Sequence, residues 1–419
     1  MLKVILSLFS LLLGIGSLLV GLGALSTLLG VRAGIEQFGP AVTGLVMAGY
    51  FLGFIVGNYL CPPLIRRVGH IRAFAAMAAI VTAAALLHAF FVHPFIWFIL
   101  RLITGTSMMG LYMVVESWLN AITPNERRGQ VFAVYMATTL LALAAGQYLI
   151  MSGEITSIRP FALASIFLVL ALVPVAVTRI DQPLAVDAPH LSLRTLFAAS
   201  PAGAAGALFA GAATGAFWGM GPLFAHRIGL TSEGVAVFMS ITILGGALLQ
   251  WPIGRLSDKG DRRRVLAVVC LSAMGAAMAV HLFAFNTHGM LYLSSFFYGG
   301  FAFTLYSLSV AITNDYLGRE HVLEASRSLL LLHGVGASSG PALAGLLMAQ
   351  LGPGSLPLFF AAVLAPLTVY TVWQIRIHIP VIPFERFKPM TGEISQTILK
   401  MIRHDVSANK AKQPDDSSK

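Results

Sequence analysis

The placement of charge along this chain constrains its fold more than any other feature. Lysine and arginine gather in short gaps between twelve apolar runs, near 4–31, 41–65, 73–93, 95–123, 131–152, 160–178, 201–226, 234–257, 265–285, 289–313, 326–351 and 353–375. About 20 predominantly apolar residues suffice for a helix to cross a bilayer, so each run is a candidate span. If successive gaps lie on alternate sides of a membrane, 23 of the 27 Lys and Arg share the side of both termini. Arg32, Arg159 and Arg227 fall on the other side, and Arg101 lies within a span. That asymmetry follows the positive-inside rule, whereas an odd number of spans would scramble it. The expected fold is therefore an all-α integral membrane protein with twelve transmembrane helices and cytoplasmic N- and C-termini. The first run is too long for the apolar core of a signal peptide and is read as a span.

Composition closes off the other classes. Hydrophobic residues make up 57% of the chain and charged ones 11%, against about 25% charged in soluble domains. A soluble enzyme, a disordered chain and a disulfide scaffold are excluded. Continuous apolar runs also argue against an outer-membrane barrel, whose strands alternate. The net charge of +10 belongs to the membrane-facing loops, so no nucleic-acid partner is expected. Cys61 and Cys270 stand in separate apolar segments without metal-ligand spacing, and read as core residues. No HExxH, Walker loop, CxxC or triad-like arrangement occurs. No enzymatic reaction, metal or cofactor is expected.

The chain repeats one plan. The segment from Pro62 to Arg72 recurs as Gly254 to Arg264 at a shift of 192, Leu111-Tyr112 as Leu305-Tyr306, Asn120 as Asn314, and His88 as His281. Two six-helix pseudo-repeats follow: residues 1–178 and 201–375, joined by a cytoplasmic linker at 179–200 and followed by a cytoplasmic tail at 376–419. Paired repeats of this kind place a transport site between them, near the bilayer midplane. In the tail, Ile394, Ile398 and Ile402 recur every four residues among Lys400 and Arg403, the pattern of a short amphipathic helix lying on the anionic leaflet.

Gly254-x-Leu256-Ser257-Asp258-Lys259-x-x-Arg262-Arg263 resembles the signature loop of the major facilitator superfamily, which joins the second and third helices of each half. Arg101-x-x-x-Gly105 is similar to the arginine motif of that family's fourth helix. Val114-Val115-Glu116-Ser117, Asn125-Glu126-Arg127-Arg128-Gly129 and Tyr135-Met136 look like the YcaD-like branch of putative bacterial transporters. The resemblance implies a major facilitator fold and transport of a small solute. The first-half loop departs from the pattern: Arg66 stands where the family usually has Asp, and Pro62 in place of the first Gly. In the second half Asp261 replaces the later Gly. The carboxylates left to pair with the arginines are Glu116, Glu126 and Asp258.

Several residues have roles legible from their own chemistry. Gly254 permits a tight helix end, and Asp258 can cap the next segment or pair with Arg262 or Arg263. With Arg66, Arg67, Arg72 and Lys259 they form a candidate cytoplasmic gate. The alternative for the arginines is topology and contact with anionic lipid. Gly49, Gly53 and Gly57 form one small-residue stripe, Gly211, Gly215 and Gly219 another, and Gly336 with Gly340 and Pro341 a third. Such stripes mark close helix contacts, either sliding or static, and Pro341 is a candidate hinge.

Charge inside a membrane span is costly and usually functional. Arg101, Gly105, Met108, Tyr112 and Glu116 share one face of the fourth helix at 100° per residue, a stripe fit to line a water-filled cavity. At about 1.5 Å per residue Arg101 and Glu116 stand roughly 22 Å apart and cannot satisfy each other. Arg101 is read as a contact to an anionic substrate group or coupling network, or as a structural bond. Glu116 is read as a proton carrier, a substrate contact or a partner of the gate arginines. Gln147, Trp218, Gln250 and Tyr306 are further candidates for lining a central cavity, and His333 for titration near neutral pH. His88 and His281 read as structural. The expectation is a monomeric multi-pass protein of the bacterial inner membrane, in contact with membrane lipids. It moves a small-molecule substrate by alternating access, as symporter, antiporter or facilitator, with protons as a possible coupling ion. The rival is a non-transporting assembly factor or sensor on the same fold.

Overall fold

The computed structural model describes residues 2–123, 127–177, 192–317 and 322–377. The 376–419 tail beyond Ile377, most of the 179–200 linker and Glu126 lie outside the described residues. All regular structure among the described residues is helical.

The first six spans are α1 (Leu2–Ile35), α2 (Pro40–Val68), α3 (His70–Phe90), α4 (Pro94–Ile122), α5 (Arg128–Gly146) and α6 (Ile158–Leu170) with α7 (Leu172–Val177). A 3₁₀ turn over Gln147–Ser152 extends the fifth. After the short α8 (Leu193–Ala199) come α9 (Pro201–Arg227), α10 (Ser232–Ser257), α11 (Arg262–Phe283), α12 (His288–Ala302) with α13 (Thr304–Tyr316), α14 (Val322–Leu351) and α15 (Leu356–Ile377). Among the described residues, twelve helical spans are thus long and apolar enough to cross a membrane, at bounds within a few residues of those read from the sequence.

Local chemistry sets the ends. Pro40, Pro94 and Pro201 open helices at positions where no amide hydrogen is needed. The Thr231 hydroxyl accepts from the Gly234 amide at 3.2 Å, and the Asp261 carboxylate from the Arg263 amide at 3.0 Å; both are N-caps. The cap on α11 is thus Asp261, the residue that replaces the family's glycine. Gly69 alone separates α2 from α3, at φ 84°, a conformation that glycine reaches without strain.

Packing repeats the twofold plan of the sequence. A Cβ at Gly53 would stand 2.9 Å from the Leu102 carbonyl carbon, and one at Gly105 2.8 Å from that of Tyr50, so α2 and α4 meet backbone to backbone. In the second six spans, Gly245 meets Phe296 and Gly299 meets Thr242 in the same way, at 2.8 and 2.7 Å, between α10 and α12. Gly23 and Gly146 join α1 to α5 against Leu143 and Val20, and Gly215 and Gly340 join α9 to α14 against Ala337 and Ala212. The shifts between these mates are again 192 and 194.

The stripes at Gly49, Gly53 and Gly57, at Gly211 and Gly215, and at Gly336 and Gly340 therefore pack within one six-helix unit. Other residues join the two units. Gly44 and Gly345 lie against the Pro341 and Pro40 backbone between α2 and α14, and Gly219 lies against Pro341 and Met47. Gly30 and Gly34 of α1 meet Pro222 and His226 of α9. The Ser240 hydroxyl donates to the Ala144 carbonyl at 2.9 Å, from α10 to α5, and Arg227 to the Phe38 carbonyl at 3.4 Å. Most of these contacts fall toward the end of the bundle away from the loops at 66–72 and 254–264.

Candidate functional site

Arg101 is the fixed point. It sits one turn before Gly105, whose missing side chain lets α4 lie on the α2 backbone at Tyr50. That approach brings the guanidinium carbon to 4.5 Å from the Tyr50 ring centroid, a cation–π distance. Arg101 Nη1 also reaches the Ser26 hydroxyl of α1 at 3.5 Å. The arginine is 2% exposed, yet it forms part of a cavity wall with about 320 Å³ of unfilled space.

Leu22, Gly23 and Ser26 of α1, Tyr50 and Phe51 of α2, and Leu143 of α5 complete the first unit's share of the lining. Trp218 of α9 comes from the second unit. Its indole lies flat on Phe303, with ring centroids 5.8 Å apart and planes 9° apart. Ser26, Tyr50, Arg101 and Trp218 each stand seven to ten residues from the end of their helix away from the loops at 66–72 and 254–264, roughly 10–15 Å into the bundle.

Phe51 also lines a second, larger cavity of about 440 Å³, with Phe54, Asn58 and Met109 on one side and Leu330, His333 and Ala337 on the other. This chamber lies between α2 and α14, toward the loop at 66–72. His333 is held by the Thr214 hydroxyl, 3.3 Å from Nε2, and by the Tyr306 ring, edge-on at 4.7 Å. It stands well inside α14, where its carbonyl abuts Gly211.

The other candidates are distributed differently. Of the fourth-helix stripe, Arg101 reaches the central cavity, Gly105 abuts Tyr50, and Tyr112 stands edge-on to Phe54 at 6.0 Å. Glu116 is fully buried and accepts a hydrogen bond from the Tyr135 hydroxyl at 3.1 Å. Gln147 receives the Thr27 hydroxyl and donates to the Leu143 carbonyl at 2.8 Å, which ties α1 to α5. Gln250 donates to the Phe303 carbonyl at 3.1 Å, holding α10 to the α12–α13 junction. Both amides are thus bonded within one unit. His88 bonds the Ala84 carbonyl of its own helix and lies edge-on to Trp97 of α4 at 5.7 Å, and His281 bonds the Gly354 carbonyl.

At the opposite end, Arg66, Arg67 and Arg72 are exposed, as is Lys259, while Gly254 is buried. Arg262 is buried between Asp258, at 2.9 Å, and Asp315 of α13, at 3.4 Å. Arg263 pairs with Asp261 at 2.9 Å and donates to the Gln374 carbonyl of α15 at 3.3 Å. Asp315, Ser26, Tyr50 and Phe51 carried no signal strong enough to single them out in the sequence. The nearest clue to Asp315 is its place beside Asn314, the repeat mate of Asn120.

The comparisons agree with this architecture. The sequence profile of the Major Facilitator Superfamily matches residues 4–322 and 203–408. The protein called "uncharacterized MFS-type transporter YcaD" in Escherichia fergusonii is 27% identical over 325 residues, covering 76% of this chain and 83% of that one. Its namesake in Salmonella typhimurium is 28% identical over 324 residues, with the same coverage. Among solved structures, the nucleoside transporter NupG superposes with a TM-score of 0.70 at 17% identity, covering 90% of this chain and 98% of that one. A bacterial homolog of the human lysosomal transporter Spinster, in an inward-facing and unoccupied conformation, gives 0.65 at 15% identity over 96% and 98%. With twelve spans in two six-helix repeats and an arginine at the seam, this chain belongs to the Major Facilitator Superfamily, in its YcaD-like branch.

Proposed function

We propose that the protein carries a small solute across the bacterial inner membrane by alternating access, with residues 1–178 and 201–375 as the moving units. One observation carries this reading: the central cavity has Arg101 of one unit on its wall and Trp218 of the other. A site built from two bodies changes its exposure when they rock. The contacts at Gly30, Gly34, Gly44 and Gly345 seal one end, and Phe51 borders a second chamber toward the other. The 23-to-3 distribution of basic residues supports assigning the sealed end to the outside, so that this conformation opens inward.

Coupling is assigned with less machinery. Glu116 is bonded to Tyr135 about 22 Å along the helix from Arg101, which supports a role in bracing the inner end rather than in carrying protons through the site. On this reading the protein is a monomeric carrier, and any proton coupling runs through other groups.

The test is a thermal-shift screen of the purified protein against metabolites, followed by counterflow of each hit in proteoliposomes. A ligand that binds the folded state alone raises the melting temperature by mass action. The expected result is a hit that exchanges across the bilayer and fails to do so in Arg101→Gln. A broad panel without a hit, or hits that bind and never cross, would overturn transport in favour of an assembly or sensing role.

A further inference from the structure

We propose that the central cavity selects a small organic anion with a flat apolar ring, such as an aromatic carboxylate or sulfonate. The inference rests on the transport reading only for its second readout; binding is a property of the cavity itself.

Charge comes first. Among the described residues, the side chains lining the cavity include one guanidinium, Arg101, and no carboxylate. A cationic ligand would meet like charge in a largely desolvated space, where Coulomb terms grow severalfold over their size in water. An anion would meet a planar fork suited to carboxylate and sulfonate oxygens. The fork is oriented before the ligand arrives: Tyr50 supports its face at 4.5 Å, and Ser26 holds Nη1 at 3.5 Å. Ser26 lines the same cavity, so an oxyanion at Nη1 has a hydroxyl beside it.

Polarity comes second. Apart from Arg101, the lining side chains with polar atoms are Ser26, Tyr50 and Trp218; the rest are Leu, Gly and Phe. A sugar or polyol carries more hydroxyls than this wall can satisfy, and each one left unpaired is costly. A ligand with one charged end and an apolar body leaves little unsatisfied.

Shape comes third. Trp218 is half-buried, and stacking on Phe303 within 9° fixes the plane of its indole. Phe51 and Trp218 both line the cavity that Arg101 also lines, so apolar ring surface borders it from each unit. A ring laid on that surface gains stacking beyond its buried area. Because the anion holder and the ring holder belong to different units, such a ligand would bridge the seam.

The experiment measures binding to the full-length protein in detergent by calorimetry, with benzoate and benzenesulfonate as ring anions. Benzamide serves as the neutral analogue, benzylammonium as the cation and acetate as the anion without a ring. Both ring anions should bind, the neutral and cationic probes about 10- to 100-fold more weakly, the range expected for a hydrogen bond to charge, and the ringless anion more weakly for want of buried apolar area. Arg101→Gln should erase the preference for benzoate over benzamide, and Trp218→Leu the preference for benzoate over acetate. The wild-type comparison needs no variant to fold. Benzamide or benzylammonium binding as tightly as benzoate would overturn the proposal. So would the absence of saturable ring-anion binding well above roughly 1 mM, the top of the usual KM range.

Flux in proteoliposomes separates this proposal from the transport reading. Benzenesulfonate that binds through Arg101 and never crosses leaves the ligand class standing and defeats transport. Exchange of a neutral or cationic solute without ring-anion binding does the reverse.

Discussion

Replacing Gly44 by alanine tests whether the contact between α2 and α14 is a closure that opens. A Cβ at Gly44 would stand 3.0 Å from the Pro341 carbonyl carbon, 3.2 Å from the Ala342 Cα, and nearer still to the Pro341 oxygen. All three are backbone atoms, so the clash is relieved only when one helix moves off the other. Overpacking of this kind costs about 1–3 kcal/mol. At about 1.4 kcal/mol per factor of ten, the sealed arrangement should weaken by about 5- to 150-fold against one in which the two helices part. Gly53→Ala is the matched control, since its Cβ meets the Leu102 backbone at 2.9 Å, inside one unit. It should lower the melting temperature without changing the balance between arrangements. Gly39→Ala, with nothing within 4 Å, should do neither. The readout is a reporter at Ser26→Cys, on the cavity wall, labelled by a membrane-impermeant maleimide added from outside; Cys61 and Cys270 are both buried. Gly44→Ala should speed labelling within the range above. A folded Gly44→Ala protein with wild-type labelling, or a Gly53→Ala protein labelled as fast, would refute the reasoning.

Four further substitutions bear on the polar groups. Gln147→Leu removes the bonds to Thr27 and Leu143 and should cost about 1–3 kcal/mol of stability, read by thermal unfolding; an unchanged melting temperature would show the tie to be dispensable. Asp315→Asn strips a carboxylate from Arg262 where both side chains are nearly buried (4% and 2% exposed), whereas Asp258 is 27% exposed. Because Asp258 still holds Arg262 at 2.9 Å, the Asp315 change should cost less than the roughly 3–5 kcal/mol of an uncompensated buried charge but more than Asp258→Asn, and an inverted order of melting temperatures would contradict this. Glu116→Gln should leave the pH dependence of flux intact, and its loss in proteoliposomes with ligand binding retained would make Glu116 the proton carrier.

How much could be read from the sequence depended on whether a feature is a property of one helix or of two. Span number and bounds are set by local hydropathy, and the twelve runs become twelve helical spans. Arg101 stood out because a charge within an apolar run is anomalous wherever its neighbours lie. A spacing of four glycines, by contrast, fixes a helix face and not the helix that meets it. Gly49, Gly53 and Gly57 turn to α4, and Gly211 and Gly215 to α14, each within its own unit. The seam takes one stripe member, Gly219 against Met47, and otherwise falls to Gly44 and Gly345, single glycines that carry no spacing signal, and to the Gly30 and Gly34 pair at the end of α1. Tyr50 and Ser26 were missed for a related reason. One aromatic and one hydroxyl within apolar spans look ordinary until α1, α2 and α4 converge on Arg101. Gln147 and Gln250 show the opposite case, in which polar groups that look suited to a cavity are consumed by carbonyls of neighbouring helices.

The end bearing the arginine loops is asymmetric, and the asymmetry bears on how such a carrier could switch. In the second unit two of the loop arginines are drawn inward while Arg255 and Arg264 stay exposed: Arg262 joins Asp258 to Asp315, and Arg263 joins Asp261 to the Gln374 carbonyl. Those ties link α10, α11, α13 and α15, helices of one unit, so rocking that unit as a body leaves them intact. At the shift of 192 the first unit carries Arg66 where the second has Asp258, and His70 where the second has Arg262. There the buried ring of His70 lies 5.9 Å from Trp118, and the buried acid is Glu116 on Tyr135. Arg66, Arg67 and Arg72 stay at the surface. Exposed charges are weakly held, at about 0–1 kcal/mol per pair, and can exchange partners cheaply; a buried pair cannot. A contact that must form in one state and dissolve in the next therefore suits the first unit's surface arginines, while the second unit's buried pairs suit a rigid body that moves without changing shape.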